Sequence, residues 1–176
     1  ATENRVYGWG YVDDQQGENF RIWFDAQFDR PIVDYGVWAD EDVTDDATAH
    51  GTDVGAWVAF GASDPVNVTV GLSWVDADGA RANRLADEAV AADFDAAHAR
   101  AKAAWEGVLG RIEVEGGSGL RQRLFYTALY HSYLHPTLFS DADGRYAGFD
   151  GQVHDDGGQD FYTDMSLWDT YRTVHP

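Results

Sequence analysis

The chain has 176 residues, 44% of them hydrophobic and 14% aromatic, enough to bury a core in one domain or in one domain and part of a second. Its 31 acidic against 12 basic residues give a formal net charge of −19, a surface that repels phosphate backbones and anionic lipid. That argues against nucleic-acid and membrane-surface partners, and the absence of cysteine excludes disulfides, thiolate metal sites and cysteine nucleophiles.

No apolar run approaches the ~20 residues of a membrane span. The sequence opens without Met, carries no charged-then-apolar signal segment, and stops at Thr173-Val174-His175-Pro176 just after a helix has opened. The expectation is a piece of a longer protein.

In chain order, Val6 to Val12 reads as a short aromatic strand ending at the polar turn Asp13-Asp14-Gln15-Gln16-Gly17. Phe20 to Phe28 alternates, with Phe20, Ile22, Phe24, Ala26 and Phe28 on one face and Arg21, Trp23, Asp25 and Gln27 on the other: a half-buried strand. Ile32 to Trp38 follows as a further strand. The acidic run from Asp40 to Asp53 lacks the regular spacing of a calcium loop and reads as solvated. Val54 to Phe60 and Val66 to Trp74 are two more strands, the second strictly alternating. Several short strands between turn signals predict a partial antiparallel β-sandwich.

After Asp78-Gly79 the period changes. Ala80 to Ala92 reads as a short helix, and Asp93 caps a second, whose face Phe94, Ala97, Ala101, Trp105 and Val108 runs until Gly110 stops it. Arg111 to Glu115 reads as a brief strand, and Gly116-Gly117-Ser118-Gly119 as a flexible joint. Leu120 to His135 is amphipathic and ends at Pro136. His131 and His135 stand four apart there, but Ser132 follows where a metalloprotease needs Glu, so the zinc reading fails. Ser140 to Tyr146 misses the Gly and Glu of an EF-hand loop and reads as a turn with Gly144 at positive φ joining two short strands. His154 to Gly158 reads as an exposed turn. The domains expected are 1–78 (sandwich), 79–119 (linker helices and joint) and 120–176 (the start of a second, helical domain).

The end of the chain carries the most chemistry. Ser166-Leu167-Trp168-Asp169 fits a helix capping box, with Ser166 as N-cap and Asp169 reaching back. The same pair could grip a sugar, the indole against a pyranose C–H face and the carboxylate on two hydroxyls. On spacing alone the capping reading is the stronger.

Three blocks then carry a likeness: Leu124-Phe125-Tyr126-Thr127-Ala128-Leu129-Tyr130-His131, Ser140-Asp141-Ala142-Asp143-Gly144-Arg145-Tyr146-Ala147-Gly148, and Ser166-Leu167-Trp168-Asp169-Thr170-Tyr171-Arg172. In this order they resemble the family 92 glycoside hydrolases, exo-acting α-mannosidases, and the likeness covers roughly residues 60 to 176. It implies a mixed fold: an N-terminal β-sandwich, linker helices and the opening helices of an (α/α)6 catalytic barrel. It also implies calcium-dependent, inverting hydrolysis of terminal α-mannose from glycans, in a secreted or periplasmic protein. By the same likeness the catalytic acid, the base and the calcium ligands are expected beyond Pro176, leaving neither catalytic nor metal-ligating residues in this stretch. What remains is part of the mannose pocket: Trp168, Asp169 in contact with substrate hydroxyls, and Arg172 orienting that carboxylate from three residues on. Two other readings stay open: a non-catalytic sugar-binding sandwich, and another (α/α)6 glycosidase or phosphorylase.

Overall fold

The structure, a computed structural model, describes residues 4–13, 19–61, 65–88, 93–164 and 168. It divides into two compact units, 1–88 and 89–176.

In the first unit, β1 (Arg5–Asp13), β2 (Asn19–Phe28) and β6 (Val68–Ser73) form an antiparallel sheet in the order β1-β2-β6. β3 (Ile32–Ala39), β4 (Asp42–Thr44) and β5 (Val54–Phe60) form another in the order β4-β3-β5. The alternation read in the sequence sets the register: Phe24 pairs with Leu72, Ala26 with Val70 and Phe28 with Val68, which puts the apolar residues of both strands on one face. Phe28 meets Phe60 of the other sheet at 5.3 Å between ring centroids. The acidic run is exposed as expected, but within it β4 forms a strand that pairs Thr44, Val43 and Asp42 with Val37, Trp38 and Ala39.

The opposite face of the first sheet receives α1 (Ala77–Glu88). The helix begins at Ala77, three residues before the position expected after Asp78-Gly79. Asp76 supplies the reason: its side chain accepts from the Gly79 amide at 2.7 Å and its carbonyl from Ala80, so the glycine is carried inside the first turn. Ser73 Oγ holds the approach by accepting from the amides of Val75 and Asp76. Gly71 lets the helix seat, since a Cβ there would overlap the Ala80 carbonyl and lie 2.6 Å from the Arg84 amide nitrogen.

The second unit holds α2 (Phe94–Leu109), α3 (Gly119–Ser132) and two small ribbons. Asp93 caps α2 as expected, accepting from Ala96 at 2.8 Å, and Gly110 closes it. Trp105 of α2 packs on Tyr130 of α3 at 4.6 Å. Arg111 to Glu115 is not a strand. No strand among the described residues takes its backbone there; the Tyr126 hydroxyl of α3 donates to the Ile112 carbonyl at 3.1 Å and accepts from the Val114 amide at 3.4 Å. Gly116 and Gly117 adopt φ of +81° and +73°, and Ser118 caps α3. The helix ends at Ser132, with Tyr133 as C-cap, so His135 lies past its end and is not one turn from His131 on a common face.

β7 (Thr137–Leu138) pairs with β10 (Tyr162–Thr163), and β8 (Arg145–Ala147) with β9 (Val153–Asp155). The turn at Gly144 has the expected positive φ, +88°, but the strands on either side of it pair elsewhere. His154 sits in β9 rather than in a turn.

Candidate functional site

Trp168 is in a helical position and 86% exposed. Asp169 and Arg172, the other two residues expected at the sugar site, lie outside the described residues, as does Ser166 of the capping box. The chain reaches this point through a held segment. Phe161 donates its amide to Ser140 Oγ at 3.0 Å and accepts at its carbonyl from Phe139 at 2.8 Å, after which β10 pairs with β7. Asp164, four residues before Trp168, then takes a left-handed φ of +58°, a conformation uncommon outside glycine that Asp adopts more readily than most residues.

Alongside runs a polar and aromatic cluster on the β8–β9 hairpin. Tyr146 and His154 are directly opposite in the ladder and their rings stack at 5.5 Å and 27°. Tyr146 stacks in turn on Phe161 at 4.0 Å and 7°. His154 Nε2 lies 3.0 Å from both carboxylate oxygens of Asp150. Asp150 Oδ1 also accepts from the Gln152 amide at 3.0 Å. The His154 bond, then the Gln152 amide, hold the Asp150 carboxyl below its ordinary 3.8. Gly148 gives this pair its space: a Cβ there would come within 2.5 Å of Asp150 Oδ1 and 2.7 Å of His154 Nε2. The sequence reading passed over His154 because a lone histidine before Asp-Asp-Gly-Gly carries no spacing signal. The signal available was Asp150 four residues before it across a glycine turn.

Buried charge sits in the first unit. Asp25 and Arg84 are 2% and 3% exposed, with Arg84 Nε 2.5 Å from Asp25 Oδ1 and its Nη1 2.6 Å from Glu88 Oε1. Arg5 Nε lies 3.2 Å from Asp25 Oδ2, an ion pair without hydrogen-bond alignment. Burial works against the Arg84 charge, but the bonds to Asp25 and Glu88 outweigh it and raise its pKa. The network ties the first sheet to α1.

The described residues contain no group of three or more His, Cys, Asp or Glu able to hold a metal ion. These described residues do not fit a calcium site.

Comparison with known proteins divides the chain before most of α1, between residues 73 and 79, rather than at the unit boundary after residue 88. A model described as the glycosyl hydrolase family 92 N-terminal domain matches residues 1–73, and the family 92 catalytic-domain model matches residues 79–176. Among solved structures, the chain is similar to the family GH92 alpha-mannosidase BT3965 of Bacteroides thetaiotaomicron, with 27% identity and a TM-score of 0.82 over 99% of this chain and 24% of that one. That mannosidase has also been solved in complex with mannoimidazole. The inverting mannosidase BT2199 of Bacteroides thetaiotaomicron VPI-5482 is 28% identical at a TM-score of 0.83, over 99% of this chain and 24% of that one. The GH92 family glycosyl hydrolase ccman5 is 28% identical at a TM-score of 0.83, over 96% and 23%. The chain therefore spans about a quarter of the length of the structures it matches. The search among curated proteins returned no match.

Proposed function

Because the chain belongs to glycosyl hydrolase family 92, we propose that the protein carrying it removes terminal α-linked mannose from glycans, with inversion at the anomeric carbon. The observation that carries the reading is the match to both family domains, in order, with mannosidases as structural neighbours. Inversion asks for a carboxylic acid on the leaving oxygen and a carboxylate activating water, about 6.5–9.5 Å apart. In this proposal that pair, and a calcium ion that would hold vicinal hydroxyls of the sugar, belong to a catalytic (α/α)6 barrel of which α3 and the segment around Trp168 form the opening. The 176 residues alone are then inactive. Secretion or a periplasmic location belongs to the same proposal and rests on family likeness alone.

The part assigned to this chain is recognition. Trp168 offers an exposed indole to the C–H face of mannose, Asp169 accepts from two neighbouring hydroxyls, and Arg172 orients that carboxylate. The test is Trp168→Ala and Asp169→Ala in the complete enzyme. Mannoside hydrolysis falls by about 10²-fold or more with the fold retained, as expected for lost contacts to a positioned substrate. Near-normal turnover in both variants removes these residues from the site.

A second reading, a non-catalytic sugar-binding surface, draws on the exposed row Tyr7, Trp9 and Tyr11 of β1. Arg21 already occupies much of that surface, its guanidinium 4.4 Å from the Trp9 ring centre and 5.4 Å from that of Tyr11. Saturable binding of mannose oligosaccharides by the 176 residues alone, lost in Trp9→Ala, would favour it.

A further inference from the structure

We propose that His154, fixed by Asp150 and backed by Tyr146, is a saccharide-contacting residue that presents its Nδ1 to a sugar hydroxyl. The inference rests on the mannosidase reading and extends it to a position outside the Trp168–Asp169 pair.

Three observations carry it. The imidazole is held at both edges of its freedom: Nε2 faces both oxygens of Asp150 at 3.0 Å, and the ring lies against Tyr146, which lies against Phe161. A ring so placed has one orientation instead of several, so its second nitrogen points in a fixed direction. Next, that nitrogen is unused: Nδ1 makes no hydrogen bond among the described residues, while the side chain remains 42% exposed. Finally, the backbone makes room for the arrangement at Gly148, where any side chain would displace the pair. A glycine, a carboxylate and an aromatic ring together hold one imidazole in place on a partly exposed surface.

The surroundings choose the ligand class. Asp143, Asp150, Asp155 and Asp156 lie on the same hairpin and its turns, with Arg145 paired to Asp143 at 2.7 Å. Phosphate or carboxylate ligands meet repulsion there. A divalent cation finds no group of three ligands among the described residues. A neutral polyol suits the site in either charge state of the ring. Neutral, with Nε2–H given to Asp150, the ring accepts a hydroxyl hydrogen at Nδ1; protonated, it donates to the hydroxyl oxygen. Tyr146 adds an apolar edge of the kind that borders sugar sites.

The test uses the complete enzyme with an α-linked mannobiose. His154→Ala raises KM about tenfold with kcat held within about twofold, the loss expected for one hydrogen bond to a neutral ligand. His154→Gln, which keeps a polar atom at that place, recovers most of it. Asp150→Asn, which loosens the ring without removing it, falls between. In the wild-type enzyme the His154 Nδ1 nitrogen resonance moves on saturation with mannobiose. An unchanged KM in His154→Ala, or a kcat loss that tracks a fall in melting temperature at constant KM, overturns the proposal in favour of a purely structural clamp. If the wild-type enzyme hydrolyses no α-mannoside, the mannosidase reading fails by itself. The nitrogen shift and calorimetric affinity for mannobiose, compared with His154→Ala, then decide the His154 claim alone, and no shift and no difference overturn it.

Discussion

Replacing Asp25 by alanine removes the carboxylate that two guanidiniums share. Arg84, 3% exposed, keeps Glu88 as its one anionic partner among the described residues, and Arg5 loses the carboxylate 3.2 Å from its Nε. Deleting one member of a buried pair leaves an uncompensated charge and costs about 3–5 kcal/mol, far more than a surface bridge. The cost falls on the seating of α1, because Asp25 stands on β2 and Arg84 on the helix. Amide hydrogen exchange across Ala77–Glu88 is the assay. With the lower figure, α1 amides exchange about a hundredfold faster or more, while α2 and α3 keep wild-type protection. Arg84→Met sits lower in the range, since Asp25 still faces Arg5. Asp25→Leu combined with Arg84→Met recovers much of the loss, as apolar replacement of a whole buried pair often does. Exchange in α1 within twofold of wild type in Asp25→Ala would refute the argument that this charge network holds the helix.

Other outcomes follow from the same geometry. Gly71→Ala drives a methyl group into the Ala80 carbonyl and costs about 1–3 kcal/mol by overpacking, read as a lower melting temperature; an unchanged melting point would mean α1 does not sit on β6 as described. Asp150, held below 3.8 first by His154, titrates below the ordinary carboxylate range in a carbon NMR titration, and His154→Ala moves the midpoint back up toward it. The sign follows from linkage: a depressed carboxyl contributes stability above its unfolded pKa of about 3.9, lost as pH falls through the lower folded value. A wild-type midpoint at or above 3.8 contradicts the pairing. Tyr126→Phe frees the backbone at Ile112 and Val114, and faster exchange of the Val114 amide reports it.

The strands were legible because alternation over Phe20–Phe28 and Val68–Ser73 marks two distinct faces and so fixes register, although the buried face is the one with Asp25, Gly71 and Ser73 under α1, while Val68, Val70 and Leu72 stay exposed. Asp93 was legible because an N-cap is local chemistry, whereas Ser118, read as part of a flexible joint, proves to cap α3. What local pattern could not give was long-range. Arg111–Glu115 has strand-like alternation, yet a tyrosine on α3 takes its backbone groups. The start of α1 depended on Asp76 and Ser73 acting together with the close approach at Gly71. Asp25 and Arg84 are 59 residues apart, so nothing in either neighbourhood announces their pairing. The His154 cluster was hidden for a similar reason: Tyr146 and Phe161 join it only once the hairpin and β10 are formed. The sugar-contact proposal for Trp168 and Asp169 rests on family likeness, since spacing alone favours a helix cap.

The most direct measurement is proton NMR of the sugar first released when the complete enzyme is given an α-linked mannobiose. The account predicts that β-mannose appears first and mutarotates afterwards, with turnover lost in Asp169→Ala. Release of α-mannose first, or no release at all, would contradict it.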